Sequence, residues 1–335
     1  MALPTPPEPE TIALPDHATF HASVRPARRP VVLRGLVADW PAVAAARRGD
    51  RAIVDYLGRN GATHPVSALV AEPEERGRFF YNREVTGFNF RKTQVPLAEF
   101  LETLLAEDHA AMPHALAVQS ENIPELLPMF AAENRLDLVP MVPPRIWLGN
   151  RIHVSPHFDL MENIACNVAG RRRFTLFPPE QITNLYPGPI ELTPAGTPIS
   201  MVAVADPDLE RYPRYVHAWA AALQVTLEPG DALYLPYGWW HGVESLDALN
   251  ILVNYWWSDA PAGIGAPYDA LLHALFAYRH LPPAQRDVWQ SMLSHFVFSE
   301  GDPATHLPEY ARGILGPGTP QLFARMRAKL RQSQS

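Results

Sequence analysis

Two histidines and an aspartate, carried by two distant segments, constrain the fold of this chain more than any other feature. His157 and Asp159 are separated by one residue in the segment VSPHFD, residues 154–159. On an extended strand such residues leave the same face, with Cα atoms about 7 Å apart. His241 ends the segment LPYGWWH, residues 235–241. If its strand lies beside the first, it completes a set of two histidines and one carboxylate around one ion.

This set of side chains indicates which metal to expect. Two neutral imidazoles and one carboxylate on one face of an octahedron suit ferrous iron and leave coordination positions open. A structural zinc site would be closed by four protein ligands, usually including thiolates. Cys166 is the only cysteine of the chain, so the sequence favours Fe(II).

Other interpretations of these histidines must be weighed. A His-x-Asp triplet alone is common by chance, but His241 follows an apolar, aromatic run and needs partners for its ring nitrogens. His153 and His157 have the spacing of a helical zinc protease, but Pro156 and the lack of a glutamate after His153 argue against that motif. His153 shares the strand parity of His157 and remains a rival ligand.

Composition excludes several classes of partner. The chain has 335 residues, with 28 basic and 35 acidic side chains and a net charge of -7, which argues against nucleic acid as a ligand. No segment approaches the roughly 20 apolar residues of a membrane span. The first fifteen residues lack the pattern of a signal peptide, and one cysteine allows no intrachain disulfide. We therefore expect a cytoplasmic protein that binds neither nucleic acid nor membrane.

The centre of the chain is predicted to be β. Residues 163–168 and 172–177 flank a turn at Gly170, and residues 224–227 and 232–235 flank a type II turn over 228–231. We expect each pair to form a hairpin. Short strands with such turns favour an antiparallel jelly roll. The fold class is therefore mainly β with flanking helices, of which residues 97–107 show the clearest helical spacing.

Three regions are expected along the chain. Residues 1–20 form a flexible, proline-rich tail, residues 21–260 a catalytic domain, and residues 261–335 a helical segment. Apolar residues recur with helical period in the last segment: they are Leu271, Leu272, Leu275, Phe276, Val288, Trp289, Met292, Leu293 and Phe296. These faces need burial, either on the barrel or against a second copy, and a homodimer is the prediction.

The chain resembles the cupin-like, JmjC-related 2-oxoglutarate oxygenases, the group that includes the hypoxia-inducible-factor asparaginyl hydroxylase. The similarity runs from about Arg29 to Trp257. It rests on ordered motifs: WLGN at 147–150, HFD at 157–159, GRRRFTLFPP at 170–179, LYP at 185–187, PGD at 229–231, WWH at 239–241 and VNYW at 253–256. The resemblance implies a double-stranded β-helix (cupin) core that binds Fe(II) through His157, Asp159 and His241.

The resemblance also implies residues for the cosubstrate and the substrate. Arg172 occupies the position, fifteen after the first histidine, of a cation that binds the distal carboxylate of 2-oxoglutarate. Relatives more often carry lysine there, and a guanidinium can bind a carboxylate bidentately. Arg171 and Arg173 stay open as alternatives. The other implied residues are Asn163, Asn254 and Tyr81 for the cosubstrate, and Gln119 and Trp239 for the prime substrate.

Two positions depart from the family pattern. Val154 stands where relatives place a hydroxyl, with Ser155 one residue later, and Ala117 stands where a tyrosine would help to bind 2-oxoglutarate. The leading interpretation is an oxygenase that uses Fe(II), 2-oxoglutarate and O2 to hydroxylate a protein or peptide side chain, with a small-molecule substrate also open and lysine demethylation second. A non-enzymatic metal- or sugar-binding module or a metal-dependent isomerase is the alternative, because fold does not fix chemistry.

Overall fold

The structure, a computed structural model, describes residues 3–59 and 64–333. Contacts within the chain divide it into two compact units, residues 1–258 and residues 259–335. The first unit contains all the strands of the described ranges and all the residues predicted for the site. The second unit contains helices.

The strands form two sheets. They are β1 (Glu10–Thr11), β2 (Val31–Leu33), β3 (Pro65–Ala71), β4 (Arg78–Phe79), β5 (Phe90–Pro96), β6 (Ala115–Asn122), β7 (Pro144–Gly149), β8 (His153–Phe158), β9 (Glu162–Ala169), β10 (Arg172–Phe177), β11 (Leu223–Leu227), β12 (Ala232–Leu235), β13 (Trp240–Ser245) and β14 (Asn250–Trp257). The large sheet has the order β1-β2-β12-β9-β14-β7-β6-β3-β5, and the small sheet β11-β10-β13-β8-β4. Neighbours are antiparallel except β1 with β2 and β4 with β8.

Helices lie before, between and after the strands. They are α1 (His17–Thr19), α2 (Pro41–Ala46), α3 (Asp50–Arg59), α4 (Leu97–Glu107), α5 (Ile123–Leu126), α6 (Pro128–Glu133), α7 (Tyr215–Ala220), α8 (Pro267–Tyr278), α9 (Pro283–Phe296) and α10 (Pro320–Ser333). The helix predicted over residues 97–107 is confirmed as α4. In the described ranges, no helix is both long and apolar enough to cross a membrane.

The central strands of the large sheet are buried on both faces. On one face, alternate residues such as Ile164, Cys166 and Val168 of β9 belong to one continuous core with residues of α2, α3, α4 and α6. Burial raises the pKa of the Cys166 thiol, which fits a packing role. On the other face, Ala165 and Leu233 meet residues of the small sheet. The two sheets therefore face each other across a common apolar interior. The expected mainly β cupin fold is confirmed.

The two predicted hairpins are wrong, although their strands exist. β9 belongs to the large sheet and β10 to the small one, and β11 and β12 are divided in the same way. Each turn therefore carries the chain from one sheet to the other. β10 pairs with β11 and β13, and β12 pairs with β2 and β9. Because a local pattern of strand, turn and strand does not encode which distant strand pairs with each arm, the sequence could not distinguish a hairpin from a corner.

The turn at residues 228–231 has the predicted geometry. The Asp231 amide donates to the Glu228 carbonyl at 3.0 Å, and Gly230 has φ +107°, as a type II turn requires at its third position. The Asp231 carboxylate then accepts from the Gly35 amide at 2.9 Å and the Arg34 guanidinium at 2.7 Å. This ion pair joins the corner to the end of β2.

The amino-terminal segment, predicted as a flexible tail, packs against the rest of the first unit from its first described residues. The Trp219 indole donates to the Pro4 carbonyl at 2.6 Å, and the Gln224 amide donates to the Pro7 carbonyl at 2.9 Å. β1 then adds to the free edge of β2. Prolines lack an amide donor but keep a carbonyl acceptor, so a proline-rich segment can still bond to donors of the fold.

The second unit is a set of amphipathic helices. α8 and α9 meet through the rings of Tyr278 and Trp289, whose centroids are 5.0 Å apart. No residue of either helix is fully buried. Phe276 is 85% exposed and Phe296 51%, so these helices carry the apolar faces that the sequence predicts.

We predict that Gly170 at the β9–β10 corner tolerates no side chain. Its φ is +67°, and a Cβ there would overlap the Leu249 carbonyl and the Asn250 side chain. Gly170→Ala should lower the free energy of unfolding by about 2–4 kcal/mol, which combines left-handed strain with overpacking. Gly196 has φ +81° and open space around it, so Gly196→Ala is the control for strain alone. Urea unfolding measures both, and equal losses would contradict the predicted overlap.

Candidate functional site

The predicted metal ligands meet between the two sheets. β8 and β13 pair with His157 directly opposite His241, and the ring centroids are 4.3 Å apart. Asp159 follows the end of β8, and its Oδ2 lies 3.7 Å from His241 Nε2. One possible ligand atom from each of the three residues lies within 4.8 Å of the others. The fold thus brings together the three side chains that the sequence places in two distant segments.

Backbone carbonyls orient both imidazoles. His157 Nδ1 lies 3.1 Å from the Ser155 carbonyl, and His241 Nδ1 lies 3.1 Å from the Trp239 carbonyl. Because a carbonyl only accepts, each Nδ1 is the donor, which leaves each Nε2 as the nitrogen that can bind a metal. A hydrogen bond of this kind to the second nitrogen is typical of metal-binding histidines. The pair is therefore prepared to bind a cation.

The electrostatic environment keeps His157 neutral. Burial, with a further contribution from neighbouring His241, lowers its pKa to about 4, although Asp159 acts in the opposite direction. A neutral imidazole is the form that binds a metal. The site therefore favours a metal ion over a proton throughout the neutral range.

A β-bulge in β8 decides which of its residues face the site. His241 lies opposite His157 and Val243 lies opposite Val154, so three steps along β8 match two along β13. The extra residue places both Val154 and His157 on the inner face. It also breaks the parity that His153 was expected to share with His157. His153 lies 3.5 Å from Glu244 and is not part of the metal-binding group, so that rival is eliminated.

The three consecutive arginines separate by strand alternation. Arg171 pairs with Asp247 at 2.8 Å and Arg173 with Glu244 at 3.3 Å, both toward solvent. Arg172 points between the sheets and is 6% exposed. It lines the same cavity as His157.

The guanidinium of Arg172 is buried without a counter-charge. Its Nε has no hydrogen-bond partner, and no described residue forms an ion pair with it. Burial lowers its pKa to about 10, so the group is still charged at neutral pH. A buried charge is costly unless it is paired. The site thus fits an anionic ligand that reaches from Arg172 toward the metal ligands, as 2-oxoglutarate would.

Two asparagines and a tryptophan form a chain along the cavity. The Trp147 indole donates to Asn254 Oδ1 at 2.9 Å, and Asn254 Nδ2 donates to Asn163 Oδ1 at 3.4 Å. All three residues line the cavity. Asn163 and Asn254, predicted near the cosubstrate, are therefore next to each other, and the Asn163 amide nitrogen is available to a ligand.

Gln119 also lines the cavity, and its role in binding the prime substrate stays a prediction. β6 has an irregularity between Val118 and Glu121, within which Ser120 has φ +57°. Arg145 stabilises it by donating to the Ser120 carbonyl at 2.6 Å. The bulge allows the Gln119 side chain to turn inward.

Tyr81 and Trp239 lie outside the lining of this cavity. The Tyr81 hydroxyl donates to the Leu192 carbonyl at 2.9 Å. It therefore bonds to the segment between β10 and α7 and does not line the space predicted for the cosubstrate. The Trp239 indole donates to the Arg28 carbonyl at 3.2 Å. Trp239 comes just before β13, two residues ahead of His241, and its indole turns toward the amino-terminal region.

Sequence analysis missed three residues of the cavity that carry polar groups, Trp147, Ser245 and Trp256. Ser245 is buried, and the indole nitrogen of Trp256 is buried without a partner. Ser245 could have been found by parity, since it lies four residues after His241 on one strand and alternate residues share a face. The two positions that depart from the family, Val154 and Ala117, also line the cavity and make part of its wall apolar.

Comparison with known proteins identifies the family. The family model of the cupin-like domain matches residues 17–263, which is most of the chain. The chain belongs to the cupin-like domain family, and the resemblance to JmjC-related proteins is confirmed by its relatives.

Three relatives illustrate this. Jumonji C domain-containing protein 5 of Drosophila melanogaster is 29% identical over 252 residues, covering 72% of this chain and 58% of that protein. tRNA wybutosine-synthesizing protein 5 of Danio rerio is 28% identical over 265 residues, covering 74% of each. Lysine-specific demethylase JMJ31 of Arabidopsis thaliana is 40% identical over 103 residues, covering 31% of this chain. The chain spans only 18% of that demethylase.

We predict that His157 makes the metal-free protein sensitive to mild acid. Its folded pKa is about 4 and its unfolded pKa about 6.5, so between these values the unfolded state binds a proton that the folded state does not. Stability must then fall as pH falls from 6.5 toward 4. In the presence of a chelator, the difference in unfolding free energy between wild type and His157→Gln should change by up to about 1.4 kcal/mol per pH unit. Parallel pH curves of unfolding free energy would contradict this.

Proposed function

We propose that this protein is an Fe(II)- and 2-oxoglutarate-dependent oxygenase that hydroxylates a protein or peptide side chain. The observation that carries the proposal is the pairing, in one cavity, of a facial set of metal ligands with a buried, unneutralised guanidinium. A metal-binding module or an isomerase would not require that second feature. A 2-oxo dicarboxylate satisfies both ends at once.

Each residue of the site has a role in this proposal. His157, Asp159 and His241 would hold the iron and leave positions open for ligands. When bound, iron with 2-oxoglutarate and O2 supplies the oxidising chemistry, which places one oxygen atom in the substrate and the other in succinate, with release of CO2. Arg172 neutralises and orients the cosubstrate. The asparagine pair, Asn163 and Asn254, provides amide groups beside it.

The size of the cavity supports a side chain as the target. The cavity has a volume of about 110 Å³, which is small compared with a folded protein substrate. A large substrate would therefore insert little more than one side chain, and Gln119, which lines the cavity, would hydrogen-bond to it. The apolar wall that includes Val154 excludes water from the reacting atoms.

The test is cosubstrate turnover. Purified protein, loaded anaerobically with Fe(II) and then given 2-oxoglutarate and O2, should form succinate even without a prime substrate. His157→Ala should abolish turnover and lower the iron content measured after dialysis. Arg172→Ala should keep its iron and raise the KM for 2-oxoglutarate by about tenfold or more, since charge-assisted hydrogen bonds contribute about 1.5–3 kcal/mol each.

Arg171→Ala is the matched control, because Arg171 is exposed and pairs with Asp247. It should leave the KM unchanged. Absence of succinate from iron-loaded wild type would favour the binding-module or isomerase alternative. Screening of peptides by mass spectrometry then separates a stable gain of one oxygen from loss of a methyl group with release of formaldehyde, which would indicate lysine demethylation.

We also propose that the second unit forms a homodimer. α8 and α9 present a groove lined by Leu271, Leu275, Tyr278, Trp289 and Leu293. Apolar surfaces of this kind usually mark an interface, and the same surface on two copies can bury both at once.

Light scattering should therefore give a mass near twice 37.3 kDa at micromolar concentration. The double change of Leu271 and Phe276 to glutamate should produce monomers, because it places charges on the apolar face. Met141→Glu is the control, since Met141 is 91% exposed and lies outside these helices. Truncation after Asp259 should also give monomers. A wild-type mass of 37.3 kDa would contradict the proposal.

A further inference from the structure

Ser245 lies directly opposite the buried arginine. In the pairing of β10 with β13, the register sets Arg172 against Ser245, and side chains of such a pair have Cβ atoms about 5 Å apart. Both residues are buried, 6% and 5% exposed, and both line the cavity. The Ser245 amide donates to the Ile152 carbonyl at 2.9 Å, which fixes the backbone and leaves the hydroxyl to the cavity.

The hydroxyl of Ser245 has no hydrogen-bonding role in the described structure. None of residues 3–59 and 64–333 forms a hydrogen bond with its Oγ. Beside it, Arg172 offers guanidinium donors without an acceptor. A carboxylate has two oxygens and about four acceptor positions, so one carboxylate placed here can accept from both residues.

Ser155 is the other serine near the site, and the structure places it elsewhere. It lines a groove on the outer side of the small sheet, together with Arg78 and Thr175. Arg78 donates to the Ser155 hydroxyl at 3.4 Å. The bulge in β8 that turns Val154 and His157 inward leaves Ser155 outward, so its hydroxyl cannot reach a ligand of Arg172.

The rest of the wall near this position offers no hydroxyl. Val154 and Ala117 are apolar, and so are Ile152 and Val243, which also line the cavity. Of the serines and threonines that the structure describes, Ser245 is the one that lines this cavity. Its place is on β13, in the same row of alternate residues as His241 and Val243.

We infer that Ser245 and Arg172 together form the binding site for the distal carboxylate of 2-oxoglutarate, with Ser245 supplying the hydroxyl that Val154 and Ala117 lack. This inference rests on the proposed function. Arg172 provides the charge, and Ser245 donates the hydrogen bond that fixes the rotation of the carboxylate. Ser245 is thus a positioning residue for the cosubstrate.

The experiment measures binding rather than turnover. Calorimetry with Mn(II)-loaded protein, without O2, gives the Kd of 2-oxoglutarate and of 2-oxopentanoate, which keeps the metal-binding end but lacks the distal carboxylate. Ser245→Ala should raise the Kd of 2-oxoglutarate by about tenfold and leave the Kd of 2-oxopentanoate unchanged. Ser155→Ala, a serine of similar burial on the neighbouring strand, should change neither Kd.

The outcomes are distinct. Equal 2-oxoglutarate affinity in wild type and Ser245→Ala overturns the inference and leaves the proposed function intact. Loss of affinity for both ligands in Ser245→Ala also overturns it, because that result indicates a structural role. A wild-type protein that binds Mn(II) but not 2-oxoglutarate overturns the proposed function and the inference together. Weakening by Ser155→Ala alone would transfer the role to Ser155.

Discussion

Alternation of side chains along three adjacent strands determines what the interior of this protein contains. β8, β10 and β13 pair side by side, and every second residue of β10 and β13 enters the space between the sheets. One such row supplies Arg172 and the other supplies His241. The metal ligands and the cation for the cosubstrate are therefore fixed by one rigid sheet, whose register sets their separation.

Much of this arrangement could be predicted from the sequence. The His-x-Asp spacing placed two ligands on one strand face, and Pro156 excluded the helical alternative. The strands around the site and the helix at residues 97–107 were also predicted, because each depends on a local period of apolar residues. Arg172 was selected by resemblance, and the structure gives the physical reason: its neighbours Arg171 and Arg173 pair with acidic residues at the surface.

The features that the sequence did not predict depend on distant contacts. The two expected hairpins are corners because β10 pairs with β11 and β13, while β12 pairs with β2 and β9. The bulge in β8 is invisible to a parity rule, since the extra residue is defined only by what lies opposite it on β13. Its effect is large, because it turns the His153 side chain away from the metal ligands and the Val154 side chain into the cavity. Tyr81 and Trp239 were placed by resemblance, and backbone carbonyls outside the cavity bind them instead.

The cavity also contains two indoles that meet edge to face, Trp147 and Trp256, with ring centroids 5.7 Å apart. The nitrogen of one is bonded to Asn254, while that of the other has no described partner. Indole emission responds to changes in polarity and hydrogen bonding around the ring, so we expect occupation of this space to alter the intrinsic fluorescence of the protein. Because tryptophans line the site, their intrinsic fluorescence should report ligand binding. Titrations can then follow binding without an attached dye.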